Sequence, residues 1–273
     1  MGLFGKKSAK NKDKSNKKDK NNSVSNQAQD DADNPLLSSI SKKPLIEVSN
    51  VQKNFSVGKN IIHVLKDVNA KIYEKEFIVI LGPSGSGKST LLNTILGLEP
   101  PTVGHVIVDD VDLTQNTENE NAQYRYKKYG IVFQRAEWVR AINVMQNVAL
   151  PLAINGMPKK EREEIAMDRL HKVGMEDFAK YTPSELSGGQ QQKVTLARAL
   201  TNEANIIVAD EPTGNLDSNS AEKVMNIFKA LNEEQNKTVI MITHNIDYVR
   251  YASRTIYIKD GKIIEGSSQF LAE

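Results

Sequence analysis

The chain has 273 residues, 39% of them hydrophobic, which is enough to bury a sizeable core in one large domain or two small ones. Its formal net charge is +2 and it contains no cysteine, which excludes disulfide frameworks, thiolate catalysis and thiolate metal sites. No run approaches the ~18 consecutive apolar residues of a membrane-spanning helix, and no apolar signal segment is evident near the N-terminus, so we expect a cytoplasmic protein.

Residues 1–43 differ in composition from the rest of the chain. They carry ten Lys and five Asp, a net charge of about +5, which leaves about −3 on the remaining 230 residues. Residues 6–34 have almost no large apolar side chains to offset the entropy of ordering, so we predict a disordered tail. Attachment of this tail to anionic lipid or RNA stays open, but a merely solvated tail is favoured. The acidic balance of residues 44–273 argues against a nucleic-acid-binding surface.

From residue 44 the pattern changes to short apolar runs at strand spacing. These runs predict strands at residues 45–48, 64–72, 77–81, 130–133, 206–209 and 239–243, and helical patterns lie at 91–98, 190–200 and 221–234. The run 77–81 is apolar throughout, which is typical of a strand buried on both faces of a parallel sheet. The alternation of strands and helices predicts an α/β fold. Residues 144–185 show helical stretches without a comparable strand and predict a helical insert.

A glycine-rich loop follows the strand predicted at residues 77–81. It reads Gly82-Pro83-Ser84-Gly85-Ser86-Gly87-Lys88-Ser89-Thr90 and fits the GxxxxGK[ST] phosphate loop, between a buried strand and a helix. The glycines allow backbone N–H groups to surround phosphate oxygens, and the helix presents its positive N-terminus. We expect Lys88 to neutralise the β- and γ-phosphates and the Ser89 hydroxyl to bind Mg²⁺.

Polar side chains also follow two later strands. Asp210 and Glu211 come directly after the run 206–209, and His244 follows the run 239–243. We expect Asp210 to hold Mg²⁺ through its water shell and Glu211 to orient and deprotonate the attacking water. Alternation along the strand should point these two carboxylates in different directions. His244 would contact the γ-phosphate and bracket the water at the carboxyl edge of the sheet.

The run Leu186-Ser187-Gly188-Gly189-Gln190 resembles the signature sequence of the ABC ATPases. Three further positions fit that family's motifs in order. Gln134 is similar to the Q-loop glutamine, which senses Mg²⁺ and the attacking water. Residues 215–217 are similar to the D-loop, and Phe55 stands where the family stacks an aromatic ring on adenine. The resemblance covers roughly residues 45–266.

This resemblance implies a P-loop NTPase of the ABC type at residues 44–273. Its expected parts are a RecA-like core sheet, an antiparallel β subdomain and an α-helical subdomain at roughly residues 144–188. The four residues Ser187, Gly188, Gly189 and Gln190 open a helix whose N-terminus suits a phosphate. The resemblance implies that they meet the ATP of a partner chain. Two ATP molecules would then lie between two head-to-tail subunits, either identical chains or close paralogues.

Within the family, residues 187–193 and 209–217 resemble the macrolide-export, lipoprotein-release and cell-division ATPases. The resemblance implies an ATPase that drives a separate integral membrane permease and lies peripherally at the inner face of the cell membrane. Residues 135–143 depart from the pattern of these relatives in the segment that faces their permeases. The resemblance therefore identifies neither the cargo nor the particular permease.

Two other functions agree less well with the sequence. Soluble ABC ATPases of DNA repair, chromosome organisation or ribosomes usually carry two cassettes, coiled coils or zinc modules, whereas residues 82–186 show no sustained heptads and no cysteine. A binding module without ATPase activity would lack Lys88, Glu211 or His244, and all three are present.

Overall fold

The structure is a computed structural model that describes residues 43–134 and 137–264. Its strands are β1 (Ile46–Val57), β2 (Asn60–Ile72), β3 (Phe77–Leu81), β4 (Val103–Val108), β5 (Val111–Asp112), β6 (Tyr129–Val132), β7 (Ile206–Asp210), β8 (Thr238–Ile242), β9 (Arg254–Lys259) and β10 (Lys262–Ile264). Its helices are α1 (Lys88–Ile95), α2 (Glu118–Lys128), α3 (Val144–Ile154), α4 (Lys159–Lys172), α5 (Gly188–Ala199) and α6 (Ser218–Glu233).

The strands form two sheets. The larger sheet has the order β10-β9-β3-β8-β7-β6; β9 and β10 pair antiparallel, and the other pairs among its described strands are parallel. The smaller sheet is antiparallel, with the order β2-β1-β4-β5. The predicted α/β fold with an antiparallel β part is therefore confirmed.

The central strands of the larger sheet are buried on both faces. In β3, Ile78 and Ile80 pack with α1 and the antiparallel sheet, whereas Phe77, Val79 and Leu81 pack on the other face with α5 and α6. This double burial explains why these strands are apolar throughout. Strands β3, β8 and β7 lie side by side in this order and run parallel, so their carboxyl ends lie at one edge of the sheet.

Residues 144–185 contain α3, α4 and two 3-10 turns at Glu176–Phe178 and Pro183–Glu185. These elements pack with α5 around a separate apolar core that includes Val148, Leu170 and Val194. The helical character of this insert agrees with the sequence pattern. None of the helices in the described ranges is long and apolar enough to cross a membrane.

Several elements are absent from the sequence prediction, namely β4, β5, α2, β9 and β10. Helix α2 lacks an apolar stripe, and among its residues only Asn121 is buried. It begins instead with a capping box, in which Thr117 and Glu120 satisfy each other's backbone N–H groups. The predicted tail at residues 1–43 lies outside the described residues except for Lys43, so it stays a prediction.

Candidate nucleotide-binding and hydrolysis site

The glycine-rich loop connects the end of β3 to the start of α1. Its first residue, Gly82, has φ 154°, and a Cβ there would lie 2.0 Å from the carbonyl oxygen of Ile258, so a side chain is excluded. Helix α1 starts at Lys88, and its N-cap residue Gly87 offers no side-chain hydrogen bond. The first N–H groups of α1 therefore remain available to an anionic ligand.

The Lys88 side chain folds back onto the start of this loop. Its Nζ donates to the carbonyl oxygens of Gly82 at 2.8 Å and Pro83 at 3.0 Å. These bonds hold the ammonium against the first two residues of the loop. A cation and exposed backbone N–H groups at one point form a binding site for phosphate.

The loop opens into a cavity of ≈ 550 Å³ at the carboxyl edge of the larger sheet. The cavity is lined by Val64, Ser84, Gly85, Gly87, Lys88, Ser89, Thr90, Gln134, Asp210, Glu211, Ile242 and His244. The structure thus brings together the phosphate loop, the Q-loop glutamine, both carboxylates and the histidine from four separate parts of the sequence. Gly82, Pro83 and Ser86 belong to the loop but do not line the cavity.

Asp210 and Glu211 differ in their surroundings, although not for the reason that strand alternation suggests. Asp210 is the last residue of β7, and its carboxylate accepts a hydrogen bond from Ser89. Burial raises the pKa of the Asp210 carboxyl, and the neighbouring charge of Glu211 adds to this effect. Glu211 lies beyond the strand with φ 47°, in the left-handed region. This backbone turn, rather than the pleat of the strand, sets the direction of its side chain.

The Glu211 carboxylate is held by residues at the end of β8. Its Oε1 lies 2.9 Å from Nδ1 of His244, and its Oε2 accepts a long hydrogen bond of 3.5 Å from the Thr243 hydroxyl. The backbone N–H of Glu211 donates to the carbonyl of Ile242 at 2.9 Å. Adjacent strands β7 and β8 therefore fix the predicted base and the predicted switch histidine against each other.

Phe55 lies on β1, opposite Ile62 of β2. Val64, two residues along β2 from Ile62 and on the same face, lines the cavity, but Phe55 itself does not. Lys53 Nζ lies 5.0 Å from the centre of the Phe55 ring and donates to the Pro100 carbonyl at 2.7 Å. Contact of Phe55 with adenine stays a prediction.

The signature residues 187–190 do not line this cavity. Ser187 is the N-cap of α5: its hydroxyl accepts from the Gln190 N–H at 3.3 Å, and Gln190 Oε1 accepts from the Ser187 N–H at 2.9 Å. Gly188 and Gly189 form the first turn. A Cβ on Gly189 would lie 2.9 Å from Ser220 Oγ, so the glycine lets α5 approach the start of α6.

A buried amide that the sequence pattern did not identify binds the backbone of residues 139–143. Asn147 of α3 has no exposed surface, and its Oδ1 accepts from the Val139 N–H at 3.0 Å. Its Nδ2 donates to the carbonyls of Val139, Ile142 and Asn143. A polar residue inside the apolar run of α3 is the signal that could have identified it.

A second cavity, the apolar groove, has a volume of ≈ 530 Å³. It lies between α2 and β6 on one side and α3 and α5 on the other, and its lining includes Tyr126, Phe133, Leu150, Ile154 and Arg198. The Ile154 side chain at its rim is 76% exposed. A contiguous apolar groove of this kind commonly marks a binding surface, whereas a single exposed apolar residue would not.

Comparison with known proteins gives a consistent result. The family model described as ABC transporter matches residues 65–214. The chain is 45% identical to the uncharacterised ABC transporter ATP-binding protein MJ0796 of Methanocaldococcus jannaschii, over 80% of this chain and 95% of that one. It is 43% identical to the macrolide export ATP-binding/permease protein MacB of Aggregatibacter actinomycetemcomitans, over 82% of this chain but 35% of MacB.

A solved structure of one of these relatives is also similar to this chain. The dimeric structure of a post-hydrolysis state of the ATP-binding cassette MJ0796 bound to ADP and Pi superposes with a TM-score of 0.75. It shares 44% sequence identity and covers 80% of this chain and 96% of that chain.

Proposed function

The chain belongs to the ABC transporter family of ATP-hydrolysing cassettes, and from this membership we propose that it works as one half of a head-to-tail dimer that drives a membrane permease. The observation that carries the proposal is the separation of two phosphate-binding segments in one chain. The phosphate loop and its carboxylates share one cavity, whereas the signature residues 187–190 lie outside it. A second copy would supply the signature that each cavity lacks.

Each cavity residue then has a defined task. The loop amides and Lys88 bind the triphosphate, and the signature helix of the partner presents its N-terminus to the γ-phosphate. Glu211 orients the attacking water and accepts its proton, while His244 positions Glu211 and contacts the γ-phosphate. Gln134, which also lines the cavity, contacts the same water.

The residues present fit a magnesium ion. The Ser89 hydroxyl and the Asp210 carboxylate are hydrogen-bonded neighbours, and both are hard oxygen ligands. No cluster of three or more His, Cys, Asp or Glu side chains suited to a metal occurs in residues 43–134 and 137–264. This sparse ligand set suits Mg²⁺, which keeps several waters and binds through one or two protein groups plus substrate phosphates. When bound, the ion neutralises charge on the phosphates.

The apolar groove is the proposed docking site of the permease. It combines aromatic and aliphatic lining with the exposed Ile154, and it adjoins the segment that follows Gln134. The relative MacB carries an ATP-binding part and a permease in its name, which supports a permease of the macrolide-export or lipoprotein-release type. Binding to it would place the chain peripherally at the membrane.

The docking site can be tested by membrane retention in the cells that express the chain natively. Ile154→Glu should reduce the membrane-bound fraction several-fold. Val103→Glu is the matched control, because Val103 is also exposed, at 52%, but lies on β4 outside the groove. Equal retention of the two variants would contradict the groove assignment.

The dimer can be tested with the purified wild-type chain. If hydrolysis requires two chains, the rate per chain should rise with protein concentration and reach a plateau. Ser187→Phe should abolish this activity while leaving nucleotide binding intact. A rate per chain that is constant over a thousand-fold dilution would contradict the proposal.

A further inference from the structure

The segment just after Gln134 contains Trp138, the only tryptophan of the chain. Trp138 is partly buried against the apolar core of α3, α4 and α5. Its indole N–H donates to Oε1 of Gln191, 53 residues away, at 3.1 Å. The segment in which this chain departs from its relatives therefore carries a specific polar contact to α5.

Gln191 uses its remaining donors on the backbone that leads into the signature. Its Nε2 donates to the carbonyl oxygens of Pro183 and Leu186, each at 3.2 Å. Its backbone N–H donates to the carbonyl of Ser187 at 2.8 Å. One side chain thus binds the first residue of the 3-10 turn and the residue between that turn and Ser187.

The other side of Trp138 faces a residue of the apolar groove. The Arg198 guanidinium lies 5.1 Å from the centre of the indole ring, and its Nη1 donates to the Glu137 carbonyl at 2.9 Å. Both Glu137 and Arg198 line the groove. A continuous set of contacts therefore runs from the groove through Trp138 and Gln191 to Leu186.

Val139, next to Trp138, is tied to α3 by hydrogen bonds. Val139 is bonded at both its N–H and its carbonyl by the buried Asn147 side chain. A displacement of α3, which lines the groove, would therefore move Val139 and the adjacent Trp138 with it. Because the Trp138 indole is hydrogen-bonded to the Gln191 amide, a shift of Trp138 would also move that amide.

We propose that Trp138 and Gln191 are positioning residues that set the signature Ser187 according to the state of the apolar groove. The proposal rests on the proposed dimer function. Neither side chain lines the nucleotide cavity, so their effect should fall on pairing of the chains and not on nucleotide binding by one chain. A purely structural role would change thermal stability without a selective effect on pairing.

The test uses the full chain with Glu211→Gln, which should bind ATP without hydrolysing it. Trp138→Phe keeps the ring but removes the N–H, and Gln191→Leu removes the amide. Trp138→Phe removes one hydrogen bond and should weaken ATP-dependent dimerisation by about 3–10-fold. Gln191→Leu also removes the bonds to Pro183 and Leu186 and should weaken it at least as much. The double variant should be no more than about 2-fold weaker than Gln191→Leu alone, because Gln191→Leu already removes the contact that Trp138→Phe removes.

Tyr181→Phe is the matched control, since the exposed Tyr181 hydroxyl makes no side-chain hydrogen bond to another residue in the described ranges. It should leave dimerisation unchanged. Affinity of the monomeric variants for ATP, measured at high dilution, should be unaltered in all of them. Unchanged dimerisation of Trp138→Phe and Gln191→Leu would overturn the positioning role even if their melting temperatures fall. Failure of the Glu211→Gln parent to dimerise would overturn the proposed function itself.

Fluorescence gives an independent readout, because emission of the chain reports Trp138 alone among tryptophans. Addition of Mg²⁺-ATP to the Glu211→Gln chain should change the emission of Trp138, and Gln191→Leu should remove most of this change. Equal changes in both proteins would contradict coupling through Gln191.

Discussion

The Glu211 carboxylate lies 2.9 Å from Nδ1 of His244, and the two side chains differ sharply in exposure. Glu211 is 14% exposed and His244 is 71% exposed. The histidine can therefore reach a ligand in the cavity while it still contacts the carboxylate. This geometry makes His244 the residue through which a γ-phosphate would position Glu211.

Replacement of His244 by alanine should leave ATP binding within about 2-fold of wild type and lower hydrolysis by 10²-fold or more. His244 positions Glu211, and a positioned proton-transfer group such as Glu211 typically contributes about 10²–10⁴-fold. Steady-state phosphate release and equilibrium nucleotide binding would measure the two effects. His171→Ala is the matched control, because His171 also contacts a glutamate, Glu176, but on α4 away from the cavity. A hydrolysis rate in His244→Ala close to that of His171→Ala would contradict the assignment.

Lys88→Ala should abolish measurable nucleotide binding. The substitution removes the charge opposite the β- and γ-phosphates and the two hydrogen bonds that Nζ donates within the loop. Titration with a fluorescent ATP analogue would test this. Lys229→Ala, on the exposed face of α6, is the control and should bind normally. Unchanged hydrolysis by Lys88→Ala would reject the phosphate-loop assignment.

Asp210→Asn should raise the free energy of unfolding but abolish magnesium-dependent ATP hydrolysis. Burial raises the pKa of Asp210, so its stabilising contribution is present below the unfolded-state pKa of about 3.9 and is lost as pH rises through the higher folded-state pKa. At pH 7, well above the unfolded-state pKa, the raised pKa of Asp210 therefore lowers the free energy of unfolding. Asparagine can still accept from Ser89 and should raise the free energy of unfolding, by less than about 1 kcal/mol because the group is partly solvated.

Thermal unfolding in EDTA at pH 7 and pH 4 would measure this effect. The gain from Asp210→Asn should be present at pH 7 and smaller at pH 4. Magnesium-dependent hydrolysis should be lost in the same protein. A variant less stable than wild type at pH 7 would show that the charge is favourable even without the metal.

Deletion of residues 1–43 should leave ATP hydrolysis unchanged, because the described residues 44–134 and 137–264 hold every predicted catalytic group. Binding to vesicles that contain anionic lipid would test the basic tail separately. Equal binding with and without residues 1–43 supports a merely solvated tail, whereas salt-sensitive binding of the full chain alone supports attachment to lipid.

The central strands of the larger sheet could be predicted because their apolar sequences match their burial in the structure. The strands β3, β7 and β8 are buried on both faces, so their sequences are continuous apolar runs. Strand β9 was missed because it is half-buried and alternates, with Ile256 and Ile258 inside and Tyr257 partly exposed. A search for unbroken apolar runs does not detect such a pattern.

The site was predictable where residues sit at the ends of those strands, as with Asp210 and His244. The direction of Glu211 was not, since it depends on a left-handed backbone conformation after β7. The contact of Trp138 with Gln191 was not predictable either. It joins residues far apart in sequence through the packing of α3 and α5, which no local pattern encodes.

The arrangement of two ATP between two chains is tested most directly by the mass of the Glu211→Gln chain in solution, measured by light scattering. With Mg²⁺-ATP we expect a species of twice the 30.4 kDa chain mass, and without nucleotide we expect a monomer. Adding Ser187→Phe to this chain should leave ATP bound to a monomer. A Glu211→Gln chain that stays monomeric with ATP bound, or a dimer that survives Ser187→Phe, would contradict the arrangement of two ATP between two chains.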